Sequence, residues 1–165
     1  MRFVFYTHSL VSDWNHGNAH FLRGVMRELI ARGHDALALE PERGWSRTNL
    51  LAEVGPSAVE RFSRDFPELR SSTYGAVFDH ESVVAGAEVV VVHEWTEPSL
   101  VSRLGMARRN GGRFTLLFHD THHRAVSESA SISALALDDY DAVLAFGETL
   151  RERYLHAGWG RGVYT

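Results

Sequence analysis

The 165-residue sequence contains no cysteine. Disulfides, thiolate metal sites and cysteine nucleophiles are thereby excluded. It also lacks a basic excess. The formal charge is −4 at pH 7 with the histidines neutral, which gives no support to a broad nucleic-acid surface. No apolar run approaches the roughly 20 residues that span a bilayer, so no transmembrane segment is expected. The opening "MRFVFYTHSL" turns polar too soon for a secretory signal. Together these absences point to a cytoplasmic protein. There is no internal repeat, low-complexity tract or linker. Neither GxGxxG nor GxxxxGK[ST] occurs, so a standard dinucleotide or phosphate-binding loop is not expected.

What is present reads as one domain, 1–165, with its own core. Apolar runs rich in β-branched and aromatic residues alternate with segments of helical period. "RFVFYT" (2–7), "DALALE" (35–40), "EVVVVHE" (88–94), "RFTLLFH" (113–119) and "DAVLAF" (141–146) are expected strands, and "GVYT" (162–165) can begin another. The valine run of 88–94 suits a strand covered on both faces. Helices are expected from Ala19 to Arg32, stopped by Gly33, over "PSLVSRLGMARRN" with Pro98 near its start, over "ISALAL", and over "ETLRERYLHAG". Residues 42–87 are less regular and hold three short helical stretches, "SRTNLLAEV", "PSAVERFSRDF" and "ESVVAGA". The alternation implies an α/β fold, a Rossmann-like parallel sheet with helices on both faces. The last residues form a possible strand with no helix after it, which suggests one half of a longer protein.

Histidine is abundant, at 10 residues. Ligands of a parallel α/β sheet bind beyond the carboxyl ends of its strands. The connections leaving those ends contain His8, His16, His20, His93, His119, His122 and His123, and also Asp13, Trp14, Asn15, Glu94, Trp95, Glu97, Asp120 and Arg124. Imidazole and carboxylate accept hydroxyl protons, and indole offers a flat apolar face, so this edge fits a polar, hydroxyl-bearing ligand. Three stretches carry the chemistry. "GNAHFLRGV" (17–25) joins a glycine turn to a helix start, where Gly17, Asn18 and His20 can meet a phosphate. "VVHEWTEP" (91–98) sets His93, Glu94 and Trp95 just past a buried strand. "FHDTHHR" (118–124) is the densest cluster: His119 and Asp120 are the candidate catalytic pair, His122 and Arg124 can contact an acceptor, and Arg124 can meet a phosphate. The spacing is not HExxH, and no scaffold for a metal is evident. His34, His80 and His156 fall elsewhere, and Tyr154 is expected in the core.

With these residues in place, the chain resembles the N-terminal domain of GT-B-fold glycosyltransferases of the family 4-like type, near the CgeB-like group. The resemblance rests on "LIARGHDALAL", "AEVVVVHEW" and "DAVLAFGETLRERYLHAGW" and extends over nearly the whole chain. It implies an acceptor-binding half, with a nucleotide-diphosphate sugar held chiefly by a C-terminal donor-binding domain beyond Thr165. No metal or cofactor is implied for this half. Gly17 would lie near the donor phosphates, although many relatives have two glycines there, and His119 or Asp120 would lie near the acceptor, with His93, Glu94, Trp95, His122, Arg124 and Trp14 around it. This fragment alone would be inactive. Two other readings stand beside it: a metal-dependent hydrolase built on the histidine-bearing loops, and a non-catalytic flavodoxin-like binding module.

Overall fold

The structure is a computed structural model that describes residues 1–12, 14 and 16–165, with His16 described through its backbone alone. Asp13, Asn15 and the His16 side chain, all read above as part of a binding edge, lie outside the described residues. The strands are all parallel, alternate with helices and are flanked by them, as expected of a Rossmann-like α/β fold. The chain forms two compact units, Met1–Asp79 and His80–Thr165.

The first unit contains β1 (Arg2–Tyr6), α1 (His16–Ala31), β2 (Asp35–Pro41), α2 (Trp45–Val54), α3 (Ser57–Asp65) and β3 (Arg70–Tyr74). Its strands lie in the order β3-β2-β1, in register from Arg2 opposite Asp35 to Tyr6 opposite Leu39, and from Leu37 opposite Arg70 to Pro41 opposite Tyr74. Helix α1 buries Ala19, Leu22 and Met26, spaced to fall on one helical face. It ends at Gly33, whose φ of 79° suits a residue without Cβ. The helix begins three residues before the expected Ala19. Gly17, Asn18 and His20 therefore sit inside its opening turns, and Gly17 does not make the expected turn: it is helical and its φ is not positive. Strand β3 falls inside the stretch read as helical or irregular.

Glu40, wholly buried in β2, ties down the connection after β1. Its Oε1 accepts the Leu10 and Val11 backbone N–H groups at 2.8 and 3.3 Å, and its Oε2 accepts the Ser71 hydroxyl at 2.6 Å.

The second unit contains α4 (His80–Ala85), β4 (Val89–His93), α5 (Pro98–Arg109), β5 (Thr115–Asp120), α6 (Arg124–Ser127), α7 (Ser129–Ser133), β6 (Ala142–Ala145), α8 (Glu148–Ala157) and β7 (Val163–Tyr164), with strand order β4-β5-β6-β7. Val90, Val91 and Val92 are all buried. Because neighbouring side chains of a strand point to opposite faces, β4 is covered on both. Asp141 clamps the start of β6. Both its oxygens accept from Arg108, at 2.9 and 3.0 Å, and one also accepts the Leu116 N–H at 2.8 Å. Burial alone would raise the Asp141 pKa, but the Arg108 hydrogen bonds and charge hold it below its ordinary value. Strand β5 runs one residue further than expected, so Asp120 belongs to the strand. Of the helix expected over "ISALAL" (132–137), only Ile132 and Ser133 are helical, as the end of α7; α6 and most of α7 precede that stretch. No helix of the described residues is long and apolar enough to cross a membrane.

Candidate functional site

Strands β4 and β5 end in the same two-residue pattern, a histidine followed by an acid: His93-Glu94 and His119-Asp120. Their parallel register pairs His93 with His119, and Glu94 N–H continues the ladder onto the His119 carbonyl at 3.0 Å. Side chains in register on parallel strands share a face. The two imidazoles are thereby brought together, with ring centroids 5.7 Å apart, edge to face. The acids one residue on form the second pair, and both are buried, Glu94 to 1% and Asp120 to 0% exposure.

The turn after β5 closes over the acids. Thr121 N–H donates to Glu94 Oε1 at 3.0 Å, and His122 Nδ1 lies 2.9 Å from the same oxygen. His122 N–H donates to Asp120 Oδ1 at 3.0 Å, while the wholly buried Tyr154 hydroxyl donates to Oδ2 at 2.8 Å. The Thr121 hydroxyl stands 3.0 Å from both His93 Nε2 and His122 Nδ1 and 3.4 Å from Glu94 Oε1. Trp95 N–H donates to His93 Nδ1 at 3.3 Å, so in this arrangement His93 Nε2 carries the imidazole proton and donates it to Thr121. Arg124 roofs the group: its guanidinium stacks on Trp95 at 4.2 Å and donates to the Glu94 carbonyl at 3.0 Å. Trp95 is 46% exposed and the His122 side chain 29%. With the half-buried His119, these are parts of the cluster open to an incoming molecule.

Burial decides the charges. It pushes Glu94 up to about 8, helped by the charge and hydrogen bond of Asp120 and opposed by Thr121 N–H and Arg124. Burial lowers His119 to about 4, against the pull of Asp120. It also lowers His122, with Asp120 again opposing and His123 and Arg124 adding to the shift. The Tyr154 hydroxyl is raised by burial and then by Asp120, so it remains a donor. At neutral pH the contact between Glu94 and His122 is therefore one between a neutral acid and a neutral imidazole. Glu94 Oε2 has no hydrogen-bond donor. A proton on that oxygen removes the second negative charge beside Asp120 and makes the buried acid pair compatible with its surroundings.

The structure thus gathers His93, Glu94, Trp95, His119, Asp120, His122 and Arg124, all named from sequence, within the second unit. Asp120 is wholly enclosed, and its two oxygens accept from His122 N–H and the Tyr154 hydroxyl. His123 is exposed and precedes α6. Trp14, Gly17, Asn18 and His20 belong to the first unit. There, Trp14 is 43% exposed, meets Trp45 edge-on at 5.8 Å and lines a cleft of about 750 Å³ with Arg23, Phe62 and Phe66. Two members of the cluster escaped the sequence reading. Tyr154 looks like an ordinary core residue of an amphipathic helix, and nothing in sequence marks it. Thr121 had a signal, its place between Asp120 and His122 directly after a strand. The chain matches no known protein family and no curated protein.

Proposed function

We propose that this chain is the acceptor-binding part of a glycosyltransferase, which moves a sugar from a nucleotide-diphosphate donor to a hydroxyl. The observation that carries the reading is the pairing of a neutral, part-exposed His122 with the buried Glu94 and Asp120, beside an exposed Trp95. A neutral imidazole accepts a hydrogen bond from a hydroxyl, and the indole face lies alongside the apolar face of a sugar ring. His119, kept neutral by burial, is a second acceptor of the same kind. In this reading His122 polarises the attacking hydroxyl, Glu94 sets the imidazole, and Asp120, held by Tyr154, fixes the His122 backbone through its amide. The resemblance in sequence supports the choice of donor, which a second domain would hold, with Gly17, Asn18 and His20 toward its phosphates.

The test is sugar transfer by the complete polypeptide containing this chain, supplied with nucleotide-diphosphate sugars and a panel of hydroxyl acceptors. His122→Ala is expected to lower kcat about 100-fold, the usual scale for a proton-handling group. Turnover unchanged by His122→Ala removes that residue from the mechanism. Absence of transfer from every donor overturns the reading itself.

A further inference from the structure

We propose that His93 Nε2, Glu94 and His122 Nδ1 form a binding site for one divalent transition-metal ion of the zinc class, with an open position toward the exposed side of His122. This inference does not depend on the glycosyltransferase reading. Its first basis is geometry. The three ligand atoms lie within 4.8 Å of one another, a spread that small side-chain movements bring to bonds of about 2.0–2.2 Å. They also aim at one point: the Thr121 hydroxyl, 3.0 Å from each imidazole nitrogen and 3.4 Å from Glu94 Oε1, stands where the ion would sit. Rotation of the Thr121 side chain clears it.

The second basis is the unpartnered oxygen. Glu94 has a side chain of 0% exposure, and its Oε2 receives no hydrogen bond. Two buried carboxyl groups adjoin here, and the neighbouring Arg124 donates no hydrogen bond to either: its hydrogen bonds go to the Glu94 carbonyl and the Ser131 hydroxyl. A divalent ion displaces the Glu94 proton and supplies the positive charge that the ionised pair then needs. Two imidazoles and a carboxylate are a ligand set that zinc and its neighbours accept, and three protein ligands leave a fourth position for water or a hydroxyl oxygen. Asp120 then serves as an outer partner that orients the ligand loop through the His122 amide.

Binding exacts a rearrangement that identifies it. Ligation through Nε2 moves the His93 proton to Nδ1, which must part from the Trp95 amide now 3.3 Å away. His122 places its proton on Nε2, on the solvent side. The ion-bound and ion-free clusters are two alternative hydrogen-bond networks on the same residues.

The experiment is titration of the metal-stripped chain with cobalt(II), followed by visible absorption, and with zinc(II), followed by calorimetry. One equivalent is expected to bind, and cobalt is expected to show the intense bands of four-coordinate geometry. His122→Ala and Glu94→Gln are each expected to weaken binding by at least about tenfold, with circular dichroism confirming the fold. His122→Ala removes a part-exposed side chain and keeps the test valid if the buried Glu94→Gln variant unfolds. His156→Ala, on the exposed side of α8, should leave affinity unchanged. Absence of stoichiometric binding overturns the proposal, and so does binding that survives His122→Ala or is lost with His156→Ala.

Discussion

Glu40 and Glu94 are both glutamates withdrawn from solvent at the carboxyl end of a buried parallel strand, one in each unit. Around Glu40 every neighbour donates: two backbone N–H groups and a serine hydroxyl share its two oxygens. Around Glu94 the donors reach one oxygen only. The other adjoins Asp120, and burial together with that second acid holds the proton on Glu94 to about pH 8. The residue type and depth are the same, but the surroundings differ in sign. A buried acid surrounded by donors is a fastener, because losing it strands the donors. A buried acid facing another acid retains a proton that it can give up, which is what a reactive group requires.

Substitutions can break this comparison. The largest effect is expected at the fastener. Glu40→Ala leaves the Leu10 and Val11 N–H groups without their acceptor and should cost about 3 kcal/mol, read from urea unfolding. A loss near zero would mean that water replaces the carboxylate and that the contrast with Glu94 is unfounded. Next comes the pH dependence of Glu94. The ordinary glutamate value is 4.5 and the folded value about 8, so the folded chain binds more protons between them. The stability this contributes is complete below pH 4.5 and is lost as pH rises toward 8. His119 works in the opposite direction, from about 4 folded to 6.5, and His122, also lowered, acts with it. Above pH 6.5 only Glu94 among these three still contributes a slope, at most about 1.4 kcal/mol per pH unit. Glu94→Gln should flatten the wild-type decline between pH 6.5 and 8, and a mutant curve parallel to wild type would show that Glu94 is ionised throughout.

A smaller loss, about 1 kcal/mol, is expected for Tyr154→Phe, which removes one donor from Asp120. A loss near zero in urea unfolding would show that water replaces that donor. The smallest change is expected at Glu81→Ala. Its contact with Arg103, at 3.1 Å, lies at an exposed surface, and such pairs contribute within about 0.5 kcal/mol. A larger loss there would undermine the ranking by burial.

The parallel alternation and most strands were legible in sequence because β1, β2, β4, β5 and β6 are apolar runs between turn residues. Strand β3 was not. "RSSTY" has no apolar pattern, is nowhere fully buried, and is a strand because β2 offers it a ladder. The start of α1 is hidden in sequence because Gly17, a residue type common in turns, is helical there. In the site, the two His-acid dipeptides were visible, but their alignment was not, since register arises from pairing and no single strand encodes it. Asp120 looked like the reactive acid because it leaves the strand beside three histidines. The fold buries it completely, and it is Glu94 whose oxygen lies against the His122 ring. Tyr154 lies 34 residues along the chain from Asp120, a separation across which a single sequence gives no sign of contact.

The retained proton on Glu94 also changes how the whole molecule should migrate. The formal charge of −4 at pH 7 treats every glutamate as ionised, whereas this chain should behave as one unit less negative until the pH passes about 8. In native electrophoresis, wild type and Glu94→Gln should therefore run together at neutral pH and separate by one charge in a buffer near pH 9.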